Sequence, residues 1–114
     1  MFAARVISPH TYQTLNLQVD EDGFLTDHHQ WSAEVAQQLA DAAGLGKLNE
    51  IQWQIIDFIR DRYFRLGALP PMRNLCRKLG IQREAVKSSF GSCRNLWMIA
   101  GLPNPGMEAQ TYMD

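Results

Sequence analysis

Apolar and polar residues alternate through Leu15, Asn16, Leu17, Gln18 and Val19, a period of two that predicts a half-buried strand. Asp20-Glu21-Asp22-Gly23 follows as a short acidic turn and Phe24-Leu25-Thr26 as the returning strand, so residues 13–27 read as a β-hairpin. From Ser32 onward the period becomes helical. Ser32 is placed to cap a helix ending near Ala43, with Val35, Ala36, Leu39 and Ala43 on one side and Gly44 as the stop. Asn49 and Gln52 form a capping-box pair ahead of a helix over residues 50–66. Ile51, Ile55, Phe58, Ile59 and Arg62 share one side of it, and Trp53, Ile56 and Tyr63 widen the apolar face.

Gly67 ends that helix, and Pro70-Pro71 opens the next, where a missing N–H costs nothing. Met72, Leu75, Cys76 and Leu79 point inward along it before Gly80. A short helix from Arg83 to about Phe90 turns Val86 and Phe90 inward, and Gly91 permits a bend. A last helix carries Leu96, Trp97, Ile99 and Ala100 up to Gly101-Leu102-Pro103. The pattern predicts a single α+β, mainly α domain: a hairpin, about five helices over residues 32–100, and a segment from 101 to 114. Pro103 and Pro105 bar that segment from resuming a helix, so it reads either as a frayed terminus or as an arm held out for a partner.

Composition changes this picture little. Apolar residues make up 46% and charged residues 20%, which is globular usage, and 114 residues suffice for one core. No apolar run is long enough to cross a bilayer, and the first thirteen residues make a poor signal peptide, so a cytoplasmic protein is expected. Cys76 and Cys93 lie 17 residues apart, matching neither a disulfide framework nor a zinc spacing. The acidic turn lacks the further oxygen ligands of a calcium loop, and His28-His29 has no evident third ligand, so no metal and no cofactor are expected. Nor does any Ser-His-Asp set, phosphate loop or close carboxylate pair point to an enzyme.

Charge is more informative. Between residues 71 and 94, six basic side chains (Arg73, Arg77, Lys78, Arg83, Lys87, Arg94) face one acid, Glu84, while the rest of the chain has five basic and eleven acidic residues. A basic segment on an acidic body suits an anionic partner. Within it, LCRKLGIQREAVKSSF matches the packing pattern of a helix-turn-helix pair at Cys76, Gly80, Ile81 and Val86. Arg83 and Lys87 would then point toward DNA, although any two helices crossing at a tight glycine turn need the same packing residues.

Three stretches carry a family resemblance. DEDGFLTDHHQW with EVAQQLA, then WQIIDFIRDRYFRLGALPPMRNLCRKLG, and finally IAGLPNP at residues 99–105 occur in the order found in the DsrC/TusE family of sulfur-relay proteins, which the chain resembles from Leu15 onward. The last stretch is close to the IAGLPKP that opens the family's C-terminal arm. The resemblance implies a small β element on an orthogonal helical bundle, with a mobile arm; the helix-turn-helix-like pair would fall within that bundle. It also implies a chemistry in which a cysteine near the arm's end carries persulfide sulfur and, in one branch, a second cysteine precedes the IAGLP segment. A thiolate is the required nucleophile for such transfer.

This chain departs from that chemistry. Seven residues after Gly101 the arm-cysteine position holds Glu108, and two before Ile99 the internal-cysteine position holds Trp97. The expectation is therefore a family member without the sulfur-carrying cysteines, acting by binding or regulation on proteins of a sulfur-relay or sulfite-reductase system. The partner-contacting arm would comprise Ile99, Ala100, Gly101, Leu102, Pro103, Asn104 and Pro105, and the basic surface Arg73, Arg77, Lys78, Arg83 and Lys87. Two alternatives stand beside it: a persulfide carrier working through Cys93, and a DNA-binding regulator working through the basic helix pair.

Overall fold

The computed structural model describes Ile7 and residues 9–67 and 72–106. Its described residues form six α-helices: α1 (Pro9–Thr14), α2 (Ala33–Ala42), α3 (Glu50–Leu66), α4 (Met72–Leu79), α5 (Arg83–Phe90) and α6 (Cys93–Ile99), with a 3-10 turn at His28–Gln30. The five helices expected after residue 32 are all present, and side-chain caps set the starts of α2, α3 and α6. The Ser32 side chain accepts from the Val35 amide at 3.2 Å. At α3, Asn49 and Gln52 exchange side-chain-to-backbone hydrogen bonds of 2.8 Å each. Gln52 then does a second job: buried, its amide donates to the Ser89 carbonyl at 2.6 Å and ties the start of α3 to α5.

The β-hairpin over residues 13–27 is not formed. Among the described residues there is no strand, and one isolated antiparallel bridge joins Val19 to Leu25. Upstream, α1 takes Pro9–Thr14, and Asn16 at φ 61° reverses the chain, a conformation asparagine tolerates. The Asp20 carboxylate accepts from the Asp22 and Phe24 amides at 3.0 Å, reinforcing a turn that the backbone also closes, with the Asp20 amide donating to the Phe24 carbonyl at 2.8 Å. Leu15, Leu17 and Val19 are indeed half-buried against the core. Their alternation reports one-sided burial, and a lone two-stranded ribbon has little stability of its own.

In the body α6 packs against both α2 and α5, while α3 packs on α4 and α5. Phe24, Ile55, Ile56, Leu75, Val86, Phe90, Ile99 and Leu102 are fully buried where these elements meet. The last two place the end of α6 and the start of the C-terminal segment at the centre of the core. That location governs everything the segment can do.

Candidate functional site at the root of the C-terminal segment

A helix end leaves carbonyls without intrahelical partners, and at α6 side chains from distant elements take them up. Trp31 donates its indole N–H to the Ile99 carbonyl at 2.8 Å. Arg60, on α3, donates to the Ala100 carbonyl at 2.6 Å. Its guanidinium also lies 3.7 Å from the centre of the Trp31 ring and 5.0 Å from that of Phe64. Burial lowers the Arg60 pKa, with Asp57 opposing, yet an arginine stays cationic in proteins, so a positive charge sits at the negative end of α6.

Gly101 makes the close approach possible. At φ 70° it adopts a left-handed turn, and a Cβ there would stand 2.2 Å from Trp31 Cδ1. Trp97 is 3% exposed, meets Tyr63 edge-to-face at 5.9 Å, and donates its indole N–H to the Pro103 carbonyl at 2.7 Å. It is a packing residue that also steers the segment outward.

Beyond Pro103 the chain is tethered to the acidic turn. Asn104 Nδ2 donates to Asp20 Oδ2 and Asp22 Oδ2, each at 3.0 Å, and its own oxygen accepts from the Gly106 amide at 2.8 Å. Burial works to raise the Asp20 pKa, but hydrogen bonds from the Phe24 amide, Asn104 and the Asp22 and Gly23 amides outweigh it and hold the carboxyl below its usual range. A depressed carboxylate contributes to the native state above its ordinary pKa and loses that contribution as pH falls through the depressed value, so this tether is intact at neutral pH. Nearby, burial pushes the Tyr12 hydroxyl up to about 12, and it donates to Met98 Sδ at 3.4 Å. Arg94 reaches the Asp22 carbonyl at 3.3 Å. Tyr12, Leu17, Val19, Asp22, Arg94 and Met98 help to line a cleft of about 530 Å³ beside the turn.

Replacing Asn104 with aspartate sets a third carboxylate against Asp20 and Asp22. Losing hydrogen bonds to charged acceptors costs about 1.5–3 kcal/mol, discounted here for exposure. Aspartate still accepts from the Gly106 amide, so the readout is Asp20: it loses the Asn104 donor and gains a like charge, and its pKa, followed by NMR titration, should rise. An Asp20 pKa unchanged in Asn104→Asp would show that the Asn104 contact does not tie the segment to the turn.

The sequence-derived site residues fall into three groups. Ile99, Ala100, Gly101 and Leu102 are interior, Asn104 is exposed and Pro103 and Pro105 are half-buried, while Glu108 lies outside the described residues. Arg77, Lys78, Arg83 and Lys87 are exposed on α4 and α5, and Arg73 falls on α4. Cys93 and Cys76 are half-buried, in no disulfide, and both pack on the core. Sequence reasoning gave no role to Trp31 or Arg60, and it placed Asn104 in the arm without its bonds to Asp20 and Asp22. For Arg60 the available signal was a cation within the widened apolar face of α3, in the helical row of Trp53, Ile56 and Tyr63. It also gave His28-His29 no third donor, whereas Asp27 supplies one: a donor atom from each of the three lies within 4.8 Å of the others.

Fold and site together define a small helical body whose C-terminal segment is anchored at its root and led across an acidic turn. The chain belongs to the family described as DsrC like protein, whose model matches residues 11–107. It is 32% identical over 97 residues to the dissimilatory-type sulfite reductase subunit gamma of Nitratidesulfovibrio vulgaris, covering 83% of this chain and 92% of that one. It is 30% identical over 107 residues to the sulfurtransferase TusE of Buchnera aphidicola subsp. Acyrthosiphon pisum, covering 84% and 90%. The crystal structure of the oxidised gamma subunit DsrC from Archaeoglobus fulgidus superposes with a TM-score of 0.67 at 33% identity, over 79% of this chain and 90% of that one. That of dissimilatory sulfite reductase I, DsrI, gives 0.71 at 30% identity, over 79% and 88%. The descriptions of these relatives lend DNA binding no support. Among the described residues, no helix is long and apolar enough to cross a membrane.

Proposed function

We propose that this chain is a non-catalytic member of its family, which binds proteins of a sulfur-relay or sulfite-reductase system and regulates or competes with a sulfur-carrying relative. The observation that carries this reading is the placement of its thiols. Glu108 and Trp97 occupy the positions where the family resemblance expects cysteines, and neither side chain has a thiolate form. Burial of Trp97 beside Tyr63 supports it, because packing fills the place of the internal cysteine. Cys93 lies in the first turn of α6, on the body, and has no arm to bring it to a second active site. The docking surface is the exposed basic set on α4 and α5 with residues 103–106. The protein works in the cytoplasm, where thiols stay reduced.

The test is persulfide loading read by intact mass, using a cysteine desulfurase, cysteine and a sulfur-carrying relative as control. The expected result is a loaded control and no added sulfur on this chain. A gain of one sulfur atom that Cys93→Ser abolishes would overturn the reading and make the chain a carrier. In parallel, binding to the relative's partner should weaken as salt rises and weaken further in Arg83→Ala/Lys87→Ala.

A further inference from the structure

We propose that Asp27, His28 and His29 form a binding site for a divalent transition-metal ion, with two imidazoles and one carboxylate converging at the 3-10 turn before Trp31. Asp27 caps that turn, its Oδ1 accepting from the His29 amide at 3.0 Å and lying 3.2 Å from His29 Nδ1. Ligands bound about 2.0–2.1 Å from a tetrahedral zinc ion sit roughly 3.3 Å apart, so this pair already has coordination spacing. The His28 donor lies within 4.8 Å of both. Its ring rests 4.9 Å from Phe64 and 4.1 Å from the His29 ring, which gives it a defined place. The Asp27 and His29 side chains are 50% and 81% exposed, so both have room to move toward the His28 donor.

The donor set selects the ion. Imidazole nitrogen with one carboxylate suits zinc, nickel or copper, whereas calcium and magnesium require a shell of oxygens. One carboxylate offsets part of the ion's charge. The Arg60 guanidinium, 5.0 Å from the Phe64 ring, opposes it and limits the affinity. Three ligands from one turn leave a position open to water or to a donor on a docked protein. The turn leads directly into Trp31, which holds the Ile99 carbonyl, so an ion here would stiffen the root of the C-terminal segment.

The experiment titrates the full, tag-free chain with zinc by calorimetry and with nickel by quenching of tryptophan emission. Saturable binding of one ion per chain is expected, weakened at least about tenfold in His28→Ala/His29→Ala, and weakened in Asp27→Asn, which keeps a capping oxygen. Binding should persist in His10→Ala and in Cys76→Ser/Cys93→Ser. The proposal is overturned if neither ion binds saturably, if the double histidine variant binds as the parent does, or if the cysteine variant loses the site.

Discussion

Gly101→Ala should cost about 3 kcal/mol of stability, measured by urea unfolding, while Gly46→Ala should cost about 1 kcal/mol. Both glycines have nearly the same backbone, φ 70° and 71°, so both substitutions carry the same left-handed penalty. They differ in what the new methyl group meets. At Gly46 nothing lies within 4 Å, whereas at Gly101 Trp31 Cδ1, Cγ and Cβ stand at 2.2, 2.6 and 2.9 Å. Those atoms are the root of the indole rather than a flexible tip, and the indole is fixed by the Ile99 carbonyl and by Arg60. Relief therefore requires moving Trp31 or the end of α6, with loss of the packing around Leu102. In a Trp31→Ala background the cost of Gly101→Ala should shrink toward that at Gly46, because the two residues share one contact. Equal costs at Gly101 and Gly46 would mean that Trp31 does not seal the root.

What could be read from the sequence follows the range of the interaction. Helices α2, α3, α5 and α6 were legible because their signals are local: Ser32 to Val35, Asn49 to Gln52, and glycines at 67, 91 and 101 beside the helix ends. The hairpin was misread because alternation at residues 15–19 records which side is buried, not which backbone group is paired. The anchoring of the C-terminal segment was hidden for a different reason. Trp31 and Arg60 act on carbonyls 68 and 40 residues away, and a carbonyl has no side-chain signature. Asn104 reaches acids 84 and 82 residues upstream, a pairing that no local period encodes. The family resemblance supplied the segment itself. Only the packing showed that residues 99–102 are core, so the proline-rich stretch starts from a buried root.

That buried root makes Arg60 the side chain whose truncation should reach furthest. Arg60→Ala removes a hydrogen bond from a charged donor to the Ala100 carbonyl, worth about 1.5–3 kcal/mol, and a stacked cation worth about 0.5–2 kcal/mol. These terms overlap, so a net loss of about 3 kcal/mol is expected, or roughly 10 °C in Tm for a domain of this size. Arg60→Lys should recover part of it, since an ammonium keeps the charge but lacks the plane that stacks on Trp31. The loss should also be directional. With the Ala100 carbonyl undonated and Trp31 unpinned, hydrogen exchange should rise first at the Gly101 and Leu102 amides, which bond to the Met98 and Trp97 carbonyls, and less at the Gln52–Ser89 contact on the far end of α3. A uniform rise across both places would mean that Arg60 supports the body as a whole. A rise confined to the end of α6 would identify it as the anchor that holds the packed root of the C-terminal segment.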